Sequence, residues 1–221
     1  MVAIVSGNGL GLLDNSATVL GQRGVFGTAG QGKTGEGVYL NAANGNLILQ
    51  GRDVYLAARG LDVAMVRTYN AQGKFTDDNG DNWKLGLVKQ VKQLTGTVNT
   101  ANSTITRVEG DGSETVYTYD AARGLYRSTS GSGSYDTLAY SNTRWTWTDG
   151  DSGNTEVYDW KQNGRIVASS DLNRNTISYF YNAAGLLSTV ADASGESTFF
   201  DYAGNNLTQI RSVIDKGNGP R

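Results

Sequence analysis

Apolar and polar positions along this chain alternate mostly with the two-residue period of half-buried strands, and a helical period is hard to find. Trp83, Leu85 and Leu87 alternate with Lys84 and Gly86. Leu61–Asn70 is strand-like and holds no breaker, and Gly45–Gln50 reads as a turn running into a short β segment. Asp77–Asp81 reads as a turn between two strands. The best helical candidate, Leu87–Leu94, fits a strand at least as well.

The second half of the chain is periodic with a step of 21 residues. That step aligns Gly164-Arg165-Ile166 with Gly185-Leu186-Leu187, and Asp171 with Asp192. It also aligns Gly153, Arg174 and Gly195; Tyr158, Tyr179 and Phe200; and Trp160, Tyr181 and Tyr202. Asn206 falls where Gly164 and Gly185 sit, and Asn is the next-best residue for a left-handed position. A partial earlier unit starts at Gly112, with Tyr117 and Tyr119 in the places of Tyr158 and Trp160. Between these units lies an insertion containing Gly131–Ser134 and the strand Arg144–Thr148. Each unit reads as turn, strand, Asp-x-x-Gly turn, and a strand ending in alternate aromatics on one face. Repeats of this length imply a stacked architecture, because one unit cannot bury its own face.

Composition supports that picture. Gly supplies 30 of 221 residues, about twice ordinary usage, and Pro appears only at Pro220, so turns rest on Gly, Asn and Asp. Residues 1–37 hold ten glycines and form an arm expected to be irregular, or ordered only against a partner. A net charge of −2 without a basic block argues against nucleic acid or anionic membrane as partner. No apolar run approaches the roughly 20 residues of a membrane helix. The start of the chain lacks the basic and apolar regions of an ordinary signal peptide, so export would use a route without a cleaved leader. Cys and His are both absent, which removes disulfides, thiolate metal sites and the commonest general base.

Three motifs invite chemistry. Gly27–Thr34 matches the phosphate-loop pattern through Lys33, but only Val25-Phe26 precedes it and Gly35-Glu36-Gly37 follows, the opposite of a helix start. Asp77, Asn79 and Asp81 have calcium-loop spacing, but the Gly is misplaced and Val88 stands where a bidentate Glu is needed. Asp171 and Asp192 would repeat along a sheet instead of converging on a cleft, so they read as turn residues. No cofactor, metal or catalytic site is expected.

The combination Tyr117-Thr118-Tyr119-Asp120…Gly124-Leu125, Tyr158…Gly164-Arg165-Ile166…Asp171, and Tyr179…Gly185-Leu186-Leu187…Asp192…Gly195 resembles the YD repeat of the RHS family. Gly45-Asn46-Leu47, Arg59-Gly60-Leu61-Asp62 and Arg67-Thr68-Tyr69-Asn70 resemble the segment that precedes the first repeats of such proteins, so the likeness covers about residues 38–221. It implies an all-β fold: a Gly-rich arm (1–37), a lead-in β segment (38–107), and antiparallel YD repeats (108–221) that begin a β-spiral or shell and stop within a unit. It also implies a secreted or cell-surface scaffold, whose shell in polymorphic toxins encloses a C-terminal cargo. The expected partners are further repeats of the same protein, or copies of itself through open sheet edges. Glycans are a second expectation, because the family has been linked to carbohydrate binding. Trp145 and Trp147 lie outside the strict period and are the candidates for stacking on sugar rings, whereas the other aromatics are expected to pack neighbouring coils.

Overall fold

The computed structural model describes residues 2–7, 9–12, 16, 36–56, 60–75, 79–128 and 133–212, and over these the chain is all-β. The phosphate-loop match at 27–34, with Lys33, lies outside the described residues, as do Asp77, Gly131 and Ser132.

The first sheet has five strands in sequence order: β1 (Ala3–Val5), β2 (Gly37–Asn41), β3 (Leu47–Leu56), β4 (Val63–Asn70) and β5 (Trp83–Leu85). β1 runs parallel to β2, and the other neighbours are antiparallel. The start of the Gly-rich arm is therefore ordered against its own chain. Asn41, Asn44 and Asn46 donate side-chain N–H groups to the Gly7, Gly9 and Leu10 carbonyls at 2.9, 2.8 and 2.8 Å. Unpaired backbone carbonyls are costly, and this asparagine turn satisfies three of them.

The second sheet contains β6 (Gln90–Thr95), β7 (Thr104–Val108), β8 (Glu114–Asp120), β9 (Leu125–Arg127), β10 (Thr137–Ser141), β11 (Arg144–Thr148), β12 (Thr155–Asp159), β13 (Arg165–Ser170), β14 (Thr176–Tyr181), β15 (Leu187–Ala191), β16 (Ser197–Ala203) and β17 (Asn206–Ser212). Leu87–Leu94 thus supplies a strand and no helix. β6 to β13 close on themselves as an eight-stranded antiparallel barrel, and β14 to β17 continue outward from β13. The expectation of an open spiral is corrected here. One edge of β13 pairs with β12 over its full length, from Thr155↔Ser170 to Asp159↔Arg165. The opposite edge is divided: its start meets β6 at Gln90↔Arg165, and its end meets β14 from Ala168↔Ser178 to Ser170↔Thr176. The boundary drawn at 107/108 falls inside β7, which belongs to the barrel with β6.

Closure is favoured because eight strands leave an interior just wide enough for side chains to fill. Each strand contributes one ring or branched chain: Val91, Ile105, Tyr117, Tyr126, Leu138, Trp145, Tyr158 and Ile166, all essentially inaccessible. One end is capped by the β6–β7 loop, where the Tyr126 hydroxyl accepts from the Asn99 N–H at 2.8 Å and pairs with the Ser103 hydroxyl at 2.9 Å.

Gly164 sits at the seam with φ +69°, and its carbonyl accepts from the Val91 N–H at 2.9 Å. A Cβ there would run into the Val91 carbonyl oxygen. Gly164→Ala is expected to cost about 2–3 kcal/mol, combining left-handed strain with backbone crowding. Gly204→Ala, at φ +62° with open space around it, is the control and should cost only about 1 kcal/mol. Urea denaturation of both variants measures the difference.

The Asp-x-x-Gly turns share one geometry. Gly153, Arg174 and Gly195 all take positive φ, at +71°, +64° and +82°. Asp171 accepts from the Asn175 N–H, and Asp192 accepts from the Glu196 N–H, at 2.9 Å each. Gly164 and Gly185 are left-handed too, but at the next step the left-handed residue is Gly204, and Asn206 opens β17.

Candidate functional site

The aromatic positions aligned by the 21-residue step meet different fates. Tyr158, Tyr179 and Phe200 are all buried. Tyr158 points into the barrel among charged groups, whereas Tyr179 pairs with the Ser169 hydroxyl at 3.2 Å. Of the second members, Trp160 lies in a 3-10 turn and is partly exposed. Tyr181 and Tyr202 donate to the Ile166 and Leu187 carbonyls at 2.8 and 2.9 Å, two bonds related by that same step. In the earlier unit Tyr117 is buried in the lumen and Tyr119 tilts against Tyr126, with ring centres 5.1 Å apart.

Trp145 and Trp147 do not form an exposed platform. Trp145 is fully buried and Trp147 is 9% exposed. Arg144–Thr148 is a barrel stave, so both indoles face the lumen, which corrects the expectation that they stack on sugars. Trp145 is the hub of the ring contacts, with centres 4.9 Å from Tyr126, 4.8 Å from Tyr140 and 6.3 Å from Trp160.

The barrel's other end carries an ion network. Arg107 on β7 donates from Nη2 to Glu156 Oε2 at 2.6 Å and from Nε to the Tyr158 hydroxyl at 2.8 Å. Its Nη1 pairs with Glu109, and its plane lies over Trp147, 3.7 Å from the ring centre. Lys89 closes the circuit, with Nζ 2.5 Å from Glu156 Oε1 and 3.3 Å from Glu109 Oε2. The Tyr158 hydroxyl donates to Glu156, and Trp147 Nε1 donates to the Tyr117 hydroxyl at 3.0 Å. Two cations and two carboxylates balance, which is what permits their burial.

Burial works against the Glu156 charge. The fields of Lys89 and Arg107, with hydrogen bonds from Lys89 and Tyr158, outweigh it and bring the carboxyl from 4.5 down to about 2. Burial also works against Arg107, but Tyr158 and Glu156 more than offset it, so the guanidinium is held charged. Burial pushes the Tyr158 phenol well up, so it stays a hydrogen-bond donor.

A pocket of about 470 Å³ opens beside this network, between the start of β4, the barrel mouth and β14. Leu61, Leu87 and Ile177 form apolar wall, and Lys89, Asp149 and Glu156 are among the polar groups. Asp149 is fixed by its own turn: its carboxylate accepts from the Asp151 and Ser152 N–H groups at 2.8 and 3.1 Å. Burial works against its charge, yet those N–H groups hold its carboxyl below the ordinary value.

No protein-family model and no curated protein matches the chain. Sequence reasoning missed Lys89, Arg107, Glu109 and Glu156. A signal was present: Ile105 and Arg107, like Glu156 and Tyr158, share a strand face. A charge on the apolar side of a strand is uncommon unless paired. The expected turn residues Asp171 and Asp192 stay apart from this network, each bonded within its own turn. Asn79 and Asp81 likewise bond locally, with Asn79 also reaching Asn206 at 2.6 Å.

Proposed function

We propose that the chain is a non-catalytic β scaffold, the leading part of an RHS/YD-repeat protein that is secreted or held at the cell surface. In this reading, further repeats extend from β17 and their sheet encloses or presents a C-terminal toxin or effector. One observation carries the proposal: Tyr181 and Tyr202 make the same bond to the strand of the preceding unit, at the same step. A bond that depends only on the neighbouring unit can be propagated indefinitely, as stacked repeats require.

Two further observations support a structural role. The barrel lumen is filled by side chains, and its charged groups are engaged with one another. The outer edge of β17 carries no strand among the described residues. Among the described residues no helix is long and apolar enough to cross a membrane.

An uncovered edge is a template for another strand. The chain is expected to associate reversibly, with mean mass rising with concentration in multi-angle light scattering. A strict monomer from micromolar to millimolar concentration counts against growth through this edge.

A further inference from the structure

We propose that the pocket at the barrel mouth is a binding site for a small aliphatic cation, an ammonium or guanidinium carried on a short hydrocarbon stem. Its volume, about 470 Å³, lies within the range of small-molecule sites, and such sites favour the junctions between structural units. It lies where the five-stranded sheet, the barrel and the β14 extension meet.

The charge of the wall sets the sign of the ligand. Of the carboxylates in the wall, Glu109 and Glu156 balance its two cations, Lys89 and Arg107, and Asp149 stands outside that balance. Both cations are committed to Glu109 and Glu156, so an incoming anion meets no uncompensated positive charge. Asp149 is the carboxylate placed to serve a ligand. Its turn holds it in place through main-chain N–H groups, and among the described residues no side-chain cation bonds it. Nearby Asp136 has its carboxyl raised, first by burial and then by the charges of Asp149 and Asp151. Leu61, Leu87 and Ile177 offer the apolar surface on which a stem of several carbons would lie. The site goes beyond the scaffold reading and stands or falls independently of it.

Titration calorimetry of the full chain with n-pentylamine and with agmatine should show saturable binding that weakens with salt. Pentanoate and n-pentanol should not bind. Asp149→Asn keeps the oxygen that accepts from Asp151 and Ser152 but removes the charge, and should weaken binding by about ten-fold or more, the size of one charge-assisted hydrogen bond. Thr155→Lys, on the pocket wall, places a competing ammonium there and should abolish binding even if Asp149→Asn proves unstable. Nα-acetyl-lysine N-methylamide separates the sources of the cation. Tighter binding than pentylamine assigns the site to a lysine side chain of a peptide, and weaker binding assigns it to a free amine. Unchanged affinity in both variants, equal binding of pentanoate, or no saturation by either cation would overturn the proposal. Light scattering on the same samples reads the scaffold's association separately.

Discussion

Glu156→Ala is expected to remove about 3–5 kcal/mol of folding stability, the range for breaking a buried ion pair from one side. Among the described residues, Glu156 alone touches Lys89, Arg107 and Tyr158 together. Without it, Glu109 alone must answer two cations, and the Arg107 side chain is only 4% exposed. Arg107 cannot escape by deprotonating, so its burial cost stays in the folded state.

The same network predicts acid sensitivity. The Glu156 carboxyl titrates near 4.5 when unfolded and about 2 when folded. Its contribution is therefore fully present above about pH 4.5 and is lost as pH falls toward 2, by about 3 kcal/mol in all. Urea midpoints between pH 7 and pH 2.5 should fall more steeply in the wild type than in Glu156→Gln. Parallel pH profiles would show that the network is not what holds the barrel mouth.

Trp145→Ala should cost about 3–5 kcal/mol, as expected for deleting a large ring from a packed interior. The indole is fully buried and touches three other rings, so the cavity would open inside the barrel. Trp145→Phe should be much milder. The Trp145 Nε1–H is buried without a hydrogen-bond partner among the described residues, and removing an unpaired donor returns about 1–3 kcal/mol against the lost contacts. Chemical denaturation of the two variants checks the ordering. Equal losses would mean that a retained ring recovers none of the packing and that ring volume does not govern this site.

These two residues mark where reading from sequence stops. Local rules were legible: strand periodicity, the turns at Gly153, Arg174 and Gly195, and the turn roles of Asp171 and Asp192. Such features depend on backbone conformation and on neighbours within about five residues, so residue type and spacing carry them. Arg174 shows that spacing can outweigh residue preference, since it takes φ +64° where its aligned partners are glycines.

Alternation along a strand says which residues share a face, but not what covers that face. Alternation puts Trp145 and Trp147 on one side of one strand, yet their burial follows from side chains of β7, β8 and β9, namely Arg107, Tyr117 and Tyr126, meeting them. Tyr158, Tyr179 and Phe200 are equivalent in sequence, but only Tyr158 enters an ion network, because only Tyr158 sits on a barrel strand. Barrel closure itself rests on Gln90 meeting Arg165, a pairing between distant segments that leaves no local trace in either. The sequence therefore determined the strands, the turns and the 21-residue step, which are local choices of backbone and side-chain face. The tertiary structure decided that eight strands close, which rings are sealed inside, and that Lys89, Arg107, Glu109 and Glu156 converge, because burial and charge pairing are set by groups brought together from remote parts of the chain.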